Sequence, residues 1–374
     1  MNNRTKWFGI VTALTSIFII FLAGNALAEN GFRTFTIDDS ADDVGRYTSI
    51  AIESNDSVHV SYYDNTNGDL MHRWNEAGSW DHCMVWISAY DRGQYTSTAI
   101  DSDDIVHISS YDATHTGLNY TRFASPGSYG TDWVDTTGSV GWDTSIAVDS
   151  DDHVHISYYD NTNGNLKYAS NTSGSWAVTT VDAPGDVGRY TSIAIDSHDH
   201  VHISYYDSTN GDLKYATNAS GSWVCDTISS ADNVGCYSSI AIDSSDNVYI
   251  VFYSITESAL LYVLISDPWR ILGTIDNSGL VGTYCSLAID STDTLHVSYY
   301  DASHGDLKYA TNPSGWPFNI KTIDSTGDVG FWSSIAIDSH DHVHISYYDA
   351  INGNLKYATN KPAPVTSVLM LLLN

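Results

Sequence analysis

A seven-bladed β-propeller is the fold predicted by three observations. The stretch Thr191–Asn218 contains three short strands, Ser192–Asp196, His200–Tyr206 and Asp212–Thr217. Asp-Ser-His-Asp makes the first turn, and Asn210-Gly211 makes the second, where a tight hairpin needs positive φ. The same stretch recurs seven times, marked by Ser49, Ser97, Ser145, Ser192, Ser239, Ser286 and Ser334, at steps of 48, 48, 47, 47, 47 and 48 residues. A fixed period of that length, with about four strands per unit, is the signature of a propeller. Finally, Phe32–Asp38 does not match the recurring stretch but matches the segment that comes after it in other repeats, such as Phe318–Asp324. Each repeat therefore has a fourth strand, usually begun by a tryptophan (Trp80, Trp133, Trp176, Trp223, Trp269), and the last repeat lacks one. Pairing the leftover N-terminal strand with the last repeat closes the ring and removes two sheet edges.

Residues 1–28 read as a secretory signal peptide. Arg4 and Lys6 open it, Phe8–Leu22 is mostly apolar, and Ala26-Leu27-Ala28 is a small-x-small cleavage site. The propeller is expected over 29–360. The tail 361–374 reads as an unstructured stub, because Val368–Leu373 is too short to span a bilayer. With 45 acidic residues against 15 basic, the formal charge is −30, and without Arg4 and Lys6 it is −32. Such a surface repels nucleic acid and anionic membranes, and suits an exported protein with a neutral ligand. Cys83, Cys225, Cys236 and Cys285 contain no Cys-x-x-Cys pair. Cys236 and Cys285 fall at nearly equivalent places in adjacent repeats, which leaves two readings: a disulfide or two buried thiols.

Alternation places Val201, Ile203 and Tyr205 on one face of the second strand and His202, Ser204 and Tyr206 on the other. Neither face is charged, as expected for a blade covered on both sides. The recurring histidines His59, His107, His155, His202, His296 and His344 read as buried groups bonded within the blades. His198, His200 and His202, and likewise His340, His342 and His344, stand at the i, i+2, i+4 spacing that puts imidazoles on one face of a strand, as a Zn²⁺ or Cu²⁺ site needs. Because His198 and His340 sit in a turn, where period two need not hold, the expectation is a solvated turn and no metal. No motif supports Ca²⁺, and no cofactor is implied.

The approach to the inner strand carries an aromatic: Tyr47, Tyr95, Tyr190, Tyr237, Tyr284 and Trp332, with Trp142 beside Asp143 in blade three. The second strand ends in Asp64, Asp112, Asp160, Asp207, Asp301 and Asp349. The loops holding these positions open on one face of a propeller. An aromatic and a carboxylate on one rim suit a sugar, whose apolar ring face stacks while its hydroxyls hydrogen-bond. The ligand-binding candidates are these residues, save Tyr237 and Asp143, together with Arg46, Arg189, Asn210 and Asn352. On the other reading the tyrosines wedge the blades and the aspartates cap hairpins. Blade five, with Tyr249, Ser254 and Leu261 in place of the usual His, Asp and Lys, is expected to have lost its site.

The strand order, period and closing strand resemble secreted bacterial seven-bladed propellers. The Ile-Ala-Ile-Asp-Ser-x-Asp-x-Val-x-Ile core of Ile240–Ile250 also resembles repeats named after their Asn-His-Leu motif. The resemblance spans 32–360 and implies a fold rather than an activity, since such rings host lectins, enzymes and scaffolds. Only Arg46 and Arg189 are equivalent arginines and no Ser-x-Asp-x-Gly-x-Thr-Trp box is present, which argues against a sialidase. The expectation is a secreted, non-enzymatic, multivalent carbohydrate binder of lectin type whose partner is a glycan or cell-surface polymer. A protein-interaction scaffold is the alternative, and a hydrolase with a site in the central funnel comes third.

Overall fold

A computed structural model describes residues 30–363 apart from 77, 78, 87–89, 126, 127, 231, 267, 268 and 314. The stretches read as signal peptide and tail fall almost wholly outside the described residues. Among those described, 28 strands run from β1 (Arg33–Asp38) to β28 (Asn354–Thr359) and form seven four-stranded antiparallel sheets. Blade four is typical, with β14 (Val187–Ile195), β15 (Val201–Asp207), β16 (Asp212–Thr217) and β17 (Val224–Ser229) running from the axis outward. Every residue of β15 is buried, so both of its faces are covered. The apolar cores lie between blades. Leu166 and Tyr168 of blade three pack with Ile193, Ile203 and Tyr205 of blade four.

The ring closes within blade seven. There β1 pairs with β28, from Arg33 opposite Thr359 to Asp38 opposite Leu355. Phe32, 2% exposed, packs against Tyr309 of blade six with ring centroids 5.1 Å apart.

Side-chain ties repeat at every joint. The recurring serine accepts the N–H of the next inner strand at 2.9–3.2 Å, from Ser49 with Thr98 round to Ser334 with Ile50. On the opposite face, each turn serine donates its N–H to an aspartate of the next turn at 2.8–3.0 Å, from Ser54 to Asp104 round to Ser339 to Asp56. These aspartates have φ of 60–66°, a left-handed conformation that Asp tolerates better than most residues. A third tie joins second-strand serines to a hydroxyl of the next inner strand at 2.7–3.0 Å, as in Ser204 with Ser238. Blade five has Val251 there, and the residue standing at the partner position of blade six is Cys285. Cys285 instead donates its thiol to the Tyr237 carbonyl at 2.9 Å. Gly188 (φ 111°) sits where a Cβ would meet the backbone of Leu166 at 2.7 Å, so the inner strand can close on the preceding blade only with glycine there.

The lysines on the third strands are structural. Lys167, Lys214, Lys308 and Lys356 are paired in the blade joints with Asp135, Asp182, Asp276 and Asp324. The same carboxylates accept the hydroxyls of Tyr158, Tyr205, Tyr299 and Tyr347 at 2.7–2.8 Å. In blade five the three positions are Phe252, Leu261 and Ser229, so carboxylate, cation and phenol are lost together. The departure of Leu261 from the lysine pattern thus has a packing cause rather than a ligand cause. We predict that Lys214→Leu alone destabilises by about 3–5 kcal/mol, because it strands the buried Asp182. The triple change Lys214→Leu, Tyr205→Phe, Asp182→Ser should recover most of that loss in urea unfolding. A triple variant no more stable than the single one overturns this assignment.

Candidate functional site

The approach residues meet on the ring axis because the inner strand is irregular there. Its register against the second strand shifts on both sides of the aromatic, between Val187 and Arg189 and again between Arg189 and Ser192 in blade four. All seven equivalent residues have φ of 49–54°: Tyr47, Tyr95, Asp143, Tyr190, Tyr237, Tyr284 and Trp332. That conformation is uncommon for non-glycine residues and is held in place by its surroundings. The rings form an arc, with centroids 4.4 Å apart for Tyr190–Tyr237, 4.6 Å for Tyr237–Tyr284, 5.5 Å for Tyr284–Trp332, 5.0 Å for Trp332–Tyr47 and 4.6 Å for Tyr47–Tyr95. They border an axial cavity of about 220 Å³, lined behind the rings by the serine and threonine hydroxyls of the inner strands.

Asp143 fills the gap in the arc between Tyr95 and Tyr190. Its carboxylate accepts the Tyr190 N–H at 3.1 Å. Burial raises its pKa, opposed by that hydrogen bond and by the Arg189 charge. Trp142 stacks 5.5 Å from Tyr95 and restores an aromatic beside the gap. Burial also pushes the Tyr190 phenol up to about 12, so it stays neutral and can both donate and accept hydrogen bonds.

The strand-end aspartates do not join this cavity. Asp207 is 3% exposed and accepts the N–H groups of Thr209 (3.0 Å) and Asn210 (3.1 Å) and the Asn210 amide (2.8 Å). Asp64, Asp160 and Asp349 cap their hairpins in the same way, the last with Asn352. Asp112 accepts from Arg92 and His115, and Asp301 from Ser303. Ser254 of blade five keeps the cap through the Glu257 N–H at 3.1 Å. Arg46 pairs with Asp43 at 2.6 Å, and Arg189 lies over the Tyr159 ring at 4.7 Å. The aromatics therefore converge in one shared cavity, while the expected hydrogen-bonding partners are engaged in hairpins and loops. Tyr237, left out of the sequence-derived set, stands in the arc between Tyr190 and Tyr284. Its place was readable from the spacing of the repeats. Asp143 was visible only as the position that broke the aromatic series.

The recurring histidines are buried. His202 meets Tyr215 Oη through Nδ1 and Asp196 through Nε2 at 3.1 Å, and His107, His155, His296 and His344 repeat this arrangement. Within the i, i+2, i+4 sets, His200 and His202 both reach the Asp196 carboxylate, at 2.9 and 3.1 Å, as His342 and His344 reach Asp338 at 3.0 and 3.2 Å. His202 and His344 are buried, while His198 and His340 are exposed at the turn. Cys236 and Cys285 are free thiols, which corrects the disulfide reading. No described helix is long and apolar enough to cross a membrane.

The class this architecture defines is the seven-bladed β-propeller. No protein-family model matches the chain, and comparison with curated proteins gives no match. Among solved structures, a PL25 polysaccharide lyase, an ulvan lyase, aligns with a TM-score of 0.56 at 11% identity, covering 89% of this chain and 92% of its own. YCF48 from Cyanidioschyzon merolae gives 0.55 at 10%, covering 87% and 98%. The Hadza microbial sialidase Hz136 gives 0.54 at 10%, covering 87% and 68%. At these identities the likeness concerns the fold. It also corrects the expectation of a non-enzyme: two of these neighbours are enzymes on the same fold, so repetition of blades is no argument against catalysis.

Proposed function

We propose that this protein is an exported carbohydrate-binding propeller that takes its ligand at the axial cavity. The observation that carries this reading is the arc of six aromatics interrupted by one carboxylate. Aromatic rings accept the apolar face of a sugar, and Asp143 and the neutral phenols supply hydrogen bonds. The propeller neighbours that act on polysaccharides support the same ligand class. A glycan or cell-surface polymer is the partner, and the signal peptide read in residues 1–28 supports export. The asymmetry at Asp143 gives a closed ring of similar blades one distinguished azimuth, so a chain-like ligand would be held in one orientation.

The test is a glycan panel on the purified protein, read for binding and for product release. Trp332→Ala and Tyr237→Ala should each weaken binding about tenfold, the scale of a lost stacking contact. Their melting temperatures should change little. Asp207→Ala should lower the melting temperature while the folded fraction keeps its affinity. If the ring variants melt early and binding tracks only the folded fraction, the aromatics are wedges and the reading fails.

A further inference from the structure

We infer that the turn of blade four carries a site for a first-row divalent metal ion of the Zn²⁺ class, built from Asp196, His198 and His200. One donor atom from each lies within 4.8 Å of the others. His200 Nδ1 is 2.9 Å from the Asp196 carboxylate, and His198 Nδ1 is 3.3 Å from the carboxylate of Asp246 on the next turn. Asp246 is thus the near fourth donor. The side chains of His198 and His200 are 68% and 38% exposed, so an ion reaches them from solvent and small rotations bring them to bonding distance. Imidazole with carboxylate suits Zn²⁺ better than Ca²⁺, which prefers an all-oxygen shell. His202 sits behind the site on Asp196 and fixes the orientation of that carboxylate.

Blade seven supplies the independent observation. Its turn has the same build, with Asp338, His340 and Asp56 of blade one forming a second such group. There a cation is already present: the Lys361 ammonium lies 3.0 Å from Asp338 and 3.9 Å from Asp56, between the two carboxylates. Asn218 and Asn360 are equivalent, since each accepts the first N–H of its second strand at 2.7 Å. The residue after Asn218 is Ala219, where blade seven has Lys361. Blade four therefore presents the two carboxylates and two histidines without the ammonium. A protein-supplied charge and a bound ion are alternative ways of neutralising the same pair of acids.

Titration of the chelator-treated, folded protein with ZnCl₂ tests this, with CaCl₂ as the control. One Zn²⁺ per chain is expected, with no comparable Ca²⁺ binding. His198→Ala and His200→Ala should each lower affinity at least tenfold. Ala219→Lys, which installs the ammonium in an exposed turn, should abolish binding without a change in melting temperature. Lys361→Ala should raise the stoichiometry to two. Absence of saturable Zn²⁺ binding, or binding indifferent to His198→Ala and Ala219→Lys, overturns the site. A stoichiometry fixed at one in Lys361→Ala overturns the equivalence of ammonium and metal ion.

Discussion

Deleting residues 29–38 should lower the melting temperature on the order of 10 °C and turn the protein into an associating species. The deletion removes β1 and the contacts it makes. Phe32 and Ile37 are 2% and 6% exposed, and burial of such side chains is worth roughly 1.5–3 kcal/mol each. It also removes Asp38, on which Tyr62 Oη converges at 2.6 Å and Arg73 at 3.1 Å. For a ring larger than the 150–250 residues over which each kcal/mol is worth about 2–4 °C, the same scaling gives roughly 1–2 °C per kcal/mol. What remains is β28 with a bare edge, a ready partner for a second chain. Differential scanning calorimetry with sedimentation velocity decides the matter. A monomer with an unchanged melting temperature would show that closure does not depend on this strand.

Acid should unfold the protein early, and in two stages. His344 and His59 are held down to about 4, chiefly by burial. An unfolded histidine takes up its proton near pH 6.5. Below that pH the unfolded chain binds more protons than the native one, so the stability contributed by these groups is lost as pH falls from 6.5 towards 4. The second stage involves the turn carboxylates. Burial would raise Asp196 and Asp290, yet hydrogen bonds from nearby backbone N–H groups and from His202 and His296 bring both down to about 2. Their contribution is present above the unfolded value near 4 and is lost as pH falls towards 2. The melting temperature should be level between pH 7 and 8 and should drop steadily below pH 6.5. A flat profile from pH 7 to 4.5 would be inconsistent with buried neutral histidines.

The blades, their strand order and the closing strand were legible because they rest on local signals: a period, an alternation and a turn residue. The site was only half legible. Period and strand direction say that Tyr190 and Asp207 lie towards the same face, but carry no information on radius. The bulges around Tyr190 throw its ring to the axis, while Asp207 turns back into its own hairpin. The lysines show the same limit. Lys214 looks like an outward-facing charge, and its partner Asp182 lies 32 residues earlier, on the outermost strand of the preceding blade. Blade five looked like a lost site because Leu261 was seen without Phe252 and Ser229, which change with it, and Ser254 without the Glu257 N–H that it still caps.

The serine-to-aspartate links between turns have a consequence for how the repeat number can change. An open stack of repeats can gain or lose a unit at either end, since each unit touches only its neighbours. Here the last link, Ser339 to Asp56 at 3.0 Å, falls within the 2.8–3.0 Å of the other six. Each joint therefore turns the chain through one seventh of a circle. An added or missing blade would have to be absorbed by every link at once, so whole-repeat duplication, the event that most easily builds such a sequence, is closed to the finished ring.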